Sequence, residues 1–281
     1  MKNRDFPSRN FNRFSLSDNV LTKTSTDVLK ISSEYSYYYL LPTELQSYFV
    51  KPQNLVIMDQ YASYDMQVLD TKNAGQILSS GDMNIGSFSR MLDKIVKFKE
   101  QVTNEIFSVE DVLSESRGLV IEKTKRRILN LFELSVLLDR IESAYNFYKE
   151  ERSVWEKRVS HGDLCLSNIL WVENQDLIKF VDPRGAINKK DICMDEYYDL
   201  AKLSQSILGG YENIIYDSEY QYPEIQIKFV NFLIEMGISL NLVRVYEASL
   251  FLSMIPLHRD RQDHVEEFVK ACDRILQEVG F

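Results

Sequence analysis

Residues 161–170 read HGDLCLSNIL and residues 177–185 read LIKFVDPRG. The apolar runs ILWV and LIKFV flank the polar turn 173–176, the pattern of a β-hairpin. Asp163 stands in the loop before the first strand, where a side chain can be aimed into a cleft. Asn168 opens that strand and Asp182 ends its partner, so the hairpin brings these two residues together. Both carry hard oxygen donors, which suit Mg²⁺ better than zinc. A loop carboxylate beside two such donors is what phosphoryl transfer asks of a protein: one group to orient or deprotonate a hydroxyl, and ligands to hold a divalent ion against phosphates.

Outward from this centre the chain divides in two. Residues 1–10 read as a loose leader, 11–80 as a small β-rich N-lobe and 81–281 as a larger helical C-lobe, a two-lobed α+β plan. In the N-lobe, FNRFSL and VLTKTS are strands joined by the tight turn Ser17-Asp18-Asn19. A helix follows over 33–41, with Ser32 or Ser33 as N-cap and Glu34 in its first turn. NLVIMDQY (54–61) suits a buried strand, and DMQVL (65–69) is a shorter one. In the C-lobe, residues 86–102 and 124–150 carry apolar residues at helical spacing, the second as one long helix. Four more helical stretches follow the hairpin.

The bulk properties narrow the function. The chain has 281 residues, a formal net charge of −9 and 44% hydrophobic residues. Such an acidic balance argues against a protein that grips nucleic-acid backbone, although a local basic pocket remains compatible with it. KTKRR at 123–127 reads as the solvated start of a helix. Cys165, Cys193 and Cys272 form no CxxC pair, so neither a zinc site nor a disulfide framework is expected. The N-terminus lacks an apolar h-region and no apolar run looks long enough to span a bilayer. The expectation is a cytoplasmic protein with no membrane insertion and no nucleic-acid partner; oligomeric state is not legible.

HGDLCLSNIL followed by FVDPRG resembles the catalytic and metal-binding loops of the aminoglycoside phosphotransferase and choline kinase-like family, which uses HxDxxxxN where protein kinases use HRDxxxxN. The resemblance implies a protein-kinase-like fold, with Mg²⁺ and ATP (or GTP) as cofactors and a small-molecule hydroxyl as acceptor. It makes Asp163 the catalytic base, His161 the buttress of its loop, and Asn168 and Asp182 the metal ligands. In such folds a strand lysine reaches the phosphates and a helix glutamate holds it. Lys23 and Glu34 stand in that order, with Lys30 as the other candidate lysine. No glycine-rich loop is present; in its place the Ser17-Asp18-Asn19 turn would face the phosphates with its backbone N–H groups. The base would lie near an inter-lobe connection at 58–61.

Other positions carry two readings each. Arg184 contacts phosphate or an anionic acceptor, or pairs with a neighbouring carboxylate. Asp199 supports the catalytic loop, touches substrate, or serves only a helix N-terminus. His258 lines an acceptor pocket or caps a helix. VDPRG with the late IPLH segment looks like a subgroup described as bacterial capsular polysaccharide biosynthesis proteins, which implies a sugar, polyol or amino-alcohol acceptor. The alternatives are an aminoglycoside, for which 191–199 (DICMDEYYD) would supply acidic groups, choline or ethanolamine, and a nucleotide-binding pseudokinase scaffold.

Overall fold

The computed structural model describes residues 12–100, 119–151 and 159–281. The expected leader and the first residue of the N-lobe lie outside them. Strands β1 (Asn12–Ser17) and β2 (Val20–Ser25) form the expected hairpin, and its turn places Asp18 and Asn19 at φ of 47° and 63°. Asp and Asn tolerate that left-handed region better than other side chains. With β3 (Pro52–Ile57) and β4 (Ala62–Gln67) they make one antiparallel sheet in the order β1-β2-β4-β3. Helix α1 (Val28–Leu40) packs its Ile31 against Ala62 and Tyr64 of that sheet.

Three readings of this lobe change. First, α1 starts five residues earlier than expected: Asp27, not Ser32 or Ser33, accepts from the Lys30 N–H as N-cap. Ser33 sits inside the helix and donates to the Lys30 carbonyl at 2.8 Å, so Glu34 lies mid-helix and buried. The helix ends as the sequence indicates, with Leu41 extended at ψ 144° before Pro42, because a residue preceding proline leaves the helical region. Second, β3 is the edge strand and mostly exposed; its apolar run reflects strand propensity rather than burial. Third, residues 58–61 close the β3–β4 hairpin, with the Met58 N–H donating to the Tyr61 carbonyl at 2.9 Å. The chain leaves the sheet only after Gln67, so the lobe connection is 68–73.

Helix α2 (Thr43–Gln46) leads toward β3, and α3 (Ala74–Ser79) follows the connection. Because α3 packs on the turn Leu166–Asn168 and on the second sheet, the larger lobe begins before residue 81. That lobe contains α4 (Ile85–Glu100), α5 (Leu119–Ile128), α6 (Ser135–Tyr148), α7 (Glu196–Ile207), α8 (Tyr211–Ile215), α9 (Pro223–Glu235), α10 (Leu240–Met254) and α11 (Gln262–Glu278). The single helix expected over 124–150 is two, α5 and α6, separated by a bend at Leu131 (φ −117°, ψ 72°). Asn130, whose side chain competes for backbone hydrogen bonds, precedes the bend. Strands β5 (Ile169–Val172) and β6 (Leu177–Phe180) form the expected hairpin in register Ile169 to Phe180.

α10 is buried along its length and touches α5, α6, α7 and α11. Among the described residues, the stretch Leu240–Leu257 is long and apolar enough to cross a membrane by composition, contrary to expectation; 78% of it is buried inside the lobe. It is the central core helix, and its hydrophobicity is used by the four neighbours around it.

The two lobes also meet away from the connection. Ala186 donates its N–H to the Ser33 carbonyl of α1 at 2.9 Å. Gly185, at φ +97°, lets the backbones approach: a Cβ there would lie 2.9 Å from the Ser33 carbonyl carbon. Gly210, also at positive φ (+77°), has open space at the same place. Gly210→Ala should therefore cost only the left-handed penalty of about 1–2 kcal/mol. Gly185→Ala should cost visibly more in a denaturant titration; equal losses would show that the lobe contact is not tight.

Candidate active site

Asp199, near the N-terminus of α7, organises the loop that carries Asp163. Its carboxylate is fully buried. Oδ2 accepts from Ser160 Oγ at 2.8 Å and the His161 N–H at 2.9 Å, and Oδ1 accepts from the Gly162 N–H at 2.8 Å. Lys99 of α4 neutralises it, with Nζ 2.9 Å from Oδ2. Burial works against the charge, but Lys99, then His161 and the hydrogen bonds, hold the group below the ordinary carboxylate value. All of its partners belong to the protein framework, so of the readings open for Asp199 the geometry favours loop support over substrate contact.

His161 is caged by aromatic rings, stacked on Phe49 at 5.9 Å and edge-on to Phe180 at 5.7 Å. Its Nε2 faces the Val181 carbonyl at 3.0 Å and its Nδ1 receives the Asp163 N–H at 3.2 Å. A carbonyl only accepts and an N–H only donates, so the pair selects the neutral Nε2–H tautomer. Burial lowers the His161 pKa in the same direction. The ring thus joins the end of β6 to the backbone of Asp163.

Asp163 presents Oδ1 to Lys202 Nζ at 3.0 Å and Oδ2 to Asn168 Nδ2 at 3.5 Å. Asn168 also donates Nδ2 to the Asp163 carbonyl at 2.9 Å. Its amide nitrogen is thereby committed, and Oδ1 is the atom it offers a cation. The Val181 N–H donates to the Asn168 carbonyl at 3.1 Å, which ties Asp182 to the same strand pair. Asp182 adopts φ 55°, uncommon for a residue with a Cβ. Asn168 Oδ1 and the Asp182 carboxylate are hard oxygen donors of the kind Mg²⁺ takes, so the residues present fit such an ion.

Across the lobes, Lys23 of β2 is buried and bridges two carboxylates. Nζ lies 2.7 Å from Glu34 Oε2 and 2.5 Å from Asp182 Oδ1. Burial works against its charge, but Asp182, Tyr64 and Glu34 overcome it and hold the lysine protonated. Burial, then the Asp182 charge, push Glu34 up to about 7. Lys30 stands 3.4 Å from the other Glu34 oxygen on a half-exposed side chain, so Lys23 is the lysine that reaches the centre.

The remaining expected positions fall elsewhere. Asn19 receives the Val68 N–H on its carbonyl at 2.8 Å, so the Ser17–Asn19 turn lies at the connection end of the sheet. At about 3.4 Å per residue, Asn19 is some 13 Å along β2 from Lys23. The register that pairs Lys23 with Tyr64 and Val20 with Gln67 puts Ser17 and Asn19 away from the Lys23–Asp182 contact. His258 packs edge-on against Phe268 at 5.1 Å, in the corner between α10 and α11. Arg184 is exposed, its guanidinium 5.6 Å from the centre of the Tyr198 ring. Cys165 is buried, and burial pushes its thiol up, as expected of an unreactive cysteine.

Several residues of the site were not singled out from sequence. Lys202 is one, although a lysine inside the apolar helix LAKLSQSI is a signal, since lysine is almost never buried unless paired. Lys123 is another: KTKRR is not simply a solvated helix start, because Lys123 Nζ donates to the Tyr198 hydroxyl at 2.7 Å. Tyr37 of α1 donates its hydroxyl to the Ser160 carbonyl at 2.8 Å. Glu212 of α8 is fully buried and accepts from the Ser167 N–H at 3.1 Å and Ser206 Oγ at 2.8 Å, fastening the far end of the loop.

No protein-family model and no curated sequence matches the chain. Solved structures do. Aminoglycoside phosphotransferase APH(4)-Ia superposes with a TM-score of 0.66 at 10% identity, over 98% of this chain and 93% of that one. A thermostable mutant of it, solved with AMP-PNP and hygromycin B, gives 0.65 at 10% identity over 98% and 95%. An ethanolamine kinase of Plasmodium vivax gives 0.52 at 13% identity over 96% and 82%. At these identities the likeness is one of fold. The chain has the two-lobed, protein-kinase-like α+β fold, with the small antiparallel sheet and large helical lobe of the phosphotransferases.

Glu212 gives this site a pH signature. Burial raises its pKa from the usual glutamate range to about 7. A carboxyl whose folded value exceeds its unfolded value keeps its full stability below the unfolded value and loses it as pH rises through the folded one. Glu212→Gln should therefore gain stability relative to wild type between about pH 4.5 and 7 and level off above. A flat difference across that window in urea titrations would remove the buried-carboxyl interpretation.

Proposed function

We propose that this chain transfers the γ-phosphoryl group of ATP to a hydroxyl of a small molecule. The observation that carries the reading is one continuous network. Lys23, held by Glu34, reaches Asp182; the Asp182 strand is bonded to Asn168; and Asn168 is bonded to Asp163. A phosphate grip, two oxygen ligands and a carboxylate base thus lie in sequence on a fold shared with phosphotransferases.

In this reading Lys23 steadies the phosphate chain as a point charge. Asn168 Oδ1 and Asp182 would hold Mg²⁺, which when bound neutralises charge on the phosphate oxygens. Asp163 accepts a hydrogen bond from the acceptor hydroxyl and takes its proton as the bond to phosphorus forms. The neutral His161 and the Asp199 carboxylate keep the Asp163 backbone fixed, so the base does not have to be ordered during the reaction. Transfer is direct, with no phosphoenzyme. The acceptor is a sugar, polyol or amino-alcohol, in line with the resemblance to capsular polysaccharide biosynthesis proteins, and the reaction runs in the cytoplasm, where ATP is supplied.

Asp163→Asn tests the chemistry apart from binding. ADP release over a panel of hydroxyl compounds should fall by about 10²–10⁴, the usual range for loss of a general base. Mg·ATP should still raise the melting temperature of the variant. Near-normal turnover in Asp163→Asn would remove the base assignment, and Mg·ATP binding without turnover in the wild type across the panel would favour the scaffold alternative.

A further inference from the structure

Four basic side chains, Lys123, Arg127, Arg184 and Lys202, gather around Tyr198 beside Asp163. Lys123 and Arg127 stand one turn apart on α5, and Tyr198 and Lys202 stand one turn apart on α7. Residues four apart share a helix face. Tyr198 is the hub: Lys123 Nζ bonds its hydroxyl at 2.7 Å, and the Arg184 guanidinium sits 5.6 Å from its ring centre. Lys202 closes the group against Asp163 Oδ1 at 3.0 Å. Arg127 is tethered to the Ser253 carbonyl at 3.2 Å.

Lys202 has Asp163 as its counter-charge; two other members of the group have none in view. Among the described residues, neither Lys123 nor Arg184 forms an ion pair with a carboxylate. Burial, then the charges of Lys202, Arg127 and Arg184, pull Lys123 down to about 6, so near neutral pH its amine is mostly uncharged and an arriving anion would favour the ammonium form. The acidic run 191–199 does not compensate. Asp191 accepts from the Ile187 and Asn188 N–H groups at 3.0 and 2.8 Å. Asp195 accepts from the Tyr197 N–H at 3.1 Å and the Tyr246 hydroxyl at 2.8 Å. Asp199 serves the loop. Glu196 is buried too, so the carboxylates of this run are turned into the framework rather than toward a cationic acceptor, and the charged group in direct contact with the Asp163 carboxylate is Lys202. Crowding like charges in a half-buried place is unfavourable unless an anion arrives to offset them.

We infer that the acceptor is itself an anion: a hydroxyl compound bearing a phosphate or carboxylate group, which Lys123, Arg127 and Arg184 grip while Lys202 and Asp163 face the hydroxyl to be phosphorylated. The inference rests on the phosphotransfer reading and gives that site its substrate class. It also sets the site apart from one built for a polycationic antibiotic. Asp163 turns one carboxylate oxygen to Lys202 at 3.0 Å and the other to Asn168 at 3.5 Å, so its two oxygens divide the basic group from the Asn168 side. The cluster is thus placed for the acceptor rather than for the nucleotide.

Titration calorimetry on the full chain, with and without saturating Mg·ADP, tests this with five probes: inorganic phosphate, glucose 6-phosphate, glucuronate, glucose and hygromycin B. At least one anion should bind about tenfold or more tighter than glucose and hygromycin B, about one decade in Kd. The better of glucose 6-phosphate and glucuronate tells phosphate from carboxylate. Lys123→Met combined with Arg127→Met should lose that preference without a lower melting temperature, since apolar side chains of similar length replace basic groups whose charged form burial disfavours; a purely structural Lys123–Tyr198 bond would instead lower it. Arg184→Gln, at an exposed position, repeats the affinity test with no burden on folding. Equal or tighter binding of glucose or hygromycin B, failure of every anion to bind, or unchanged anion affinity in both variants overturns the inference. Absence of Mg·ADP binding sinks the phosphotransfer reading instead, and the anion preference is then judged from the titrations without nucleotide.

Discussion

Two oxygens of Asp199, sealed from solvent, hold three consecutive residues of the segment that ends at Asp163. The arrangement is costly to build, because a buried carboxylate loses its hydration and must recover it from donors. Two backbone N–H groups, one hydroxyl and the Lys99 ammonium supply those donors. The donors come from the loop and α4 and the carboxylate from α7, so it can be satisfied only when these pieces are in place together. The position of Asp163 is therefore set by the fold of the helical lobe, and not by the loop's own preferences.

The same economy governs the cleft. Lys23 is a buried charge that reaches across from the small sheet, and it meets Asp182 beside the hairpin. Its fellow carboxylate, Glu34, comes from α1, whose Tyr37 hydroxyl is bonded to the Ser160 carbonyl and whose Ser33 carbonyl is bonded to Ala186. α1 therefore touches the loop before Asp163, the loop after Asp182 and Lys23 at once. A shift of this helix would be felt at all three, which makes it the natural part through which lobe movement and site geometry are coupled.

Much of this was legible in the sequence, and the reasons are physical. Hairpins and the late helices were readable because their periodicity is local, and the HGDLCLSN and VDPRG segments were readable because chemistry fixes their residue types and spacing. What was lost depended on tertiary placement. The edge position of β3 and the end of the sheet at Gln67 follow from pairing order, which an apolar run does not encode. The start of α1 turned on Asp27 as cap, while Ser33, a residue type equally fit to cap, lies in the helix interior bonded to the preceding turn. Ser17 and Asn19 were assigned to the phosphates because their turn is the first of the small lobe, whereas the β2–β4 register carries it to the opposite end.

Lys202 and Lys123 show why net charge misleads about a site. The chain carries nine more acidic than basic groups, yet the charges that act on a ligand are those within a few ångströms, weighted by how little water screens them. Asp191, Asp195 and Asp199 are spent on the protein's own N–H and hydroxyl groups, whereas among the described residues Lys123 and Arg184 pair with no carboxylate. An acidic sequence can therefore present a basic centre when its carboxylates do structural work and its cations do not. The charge that a ligand would meet beside Asp163 follows from that division of labour.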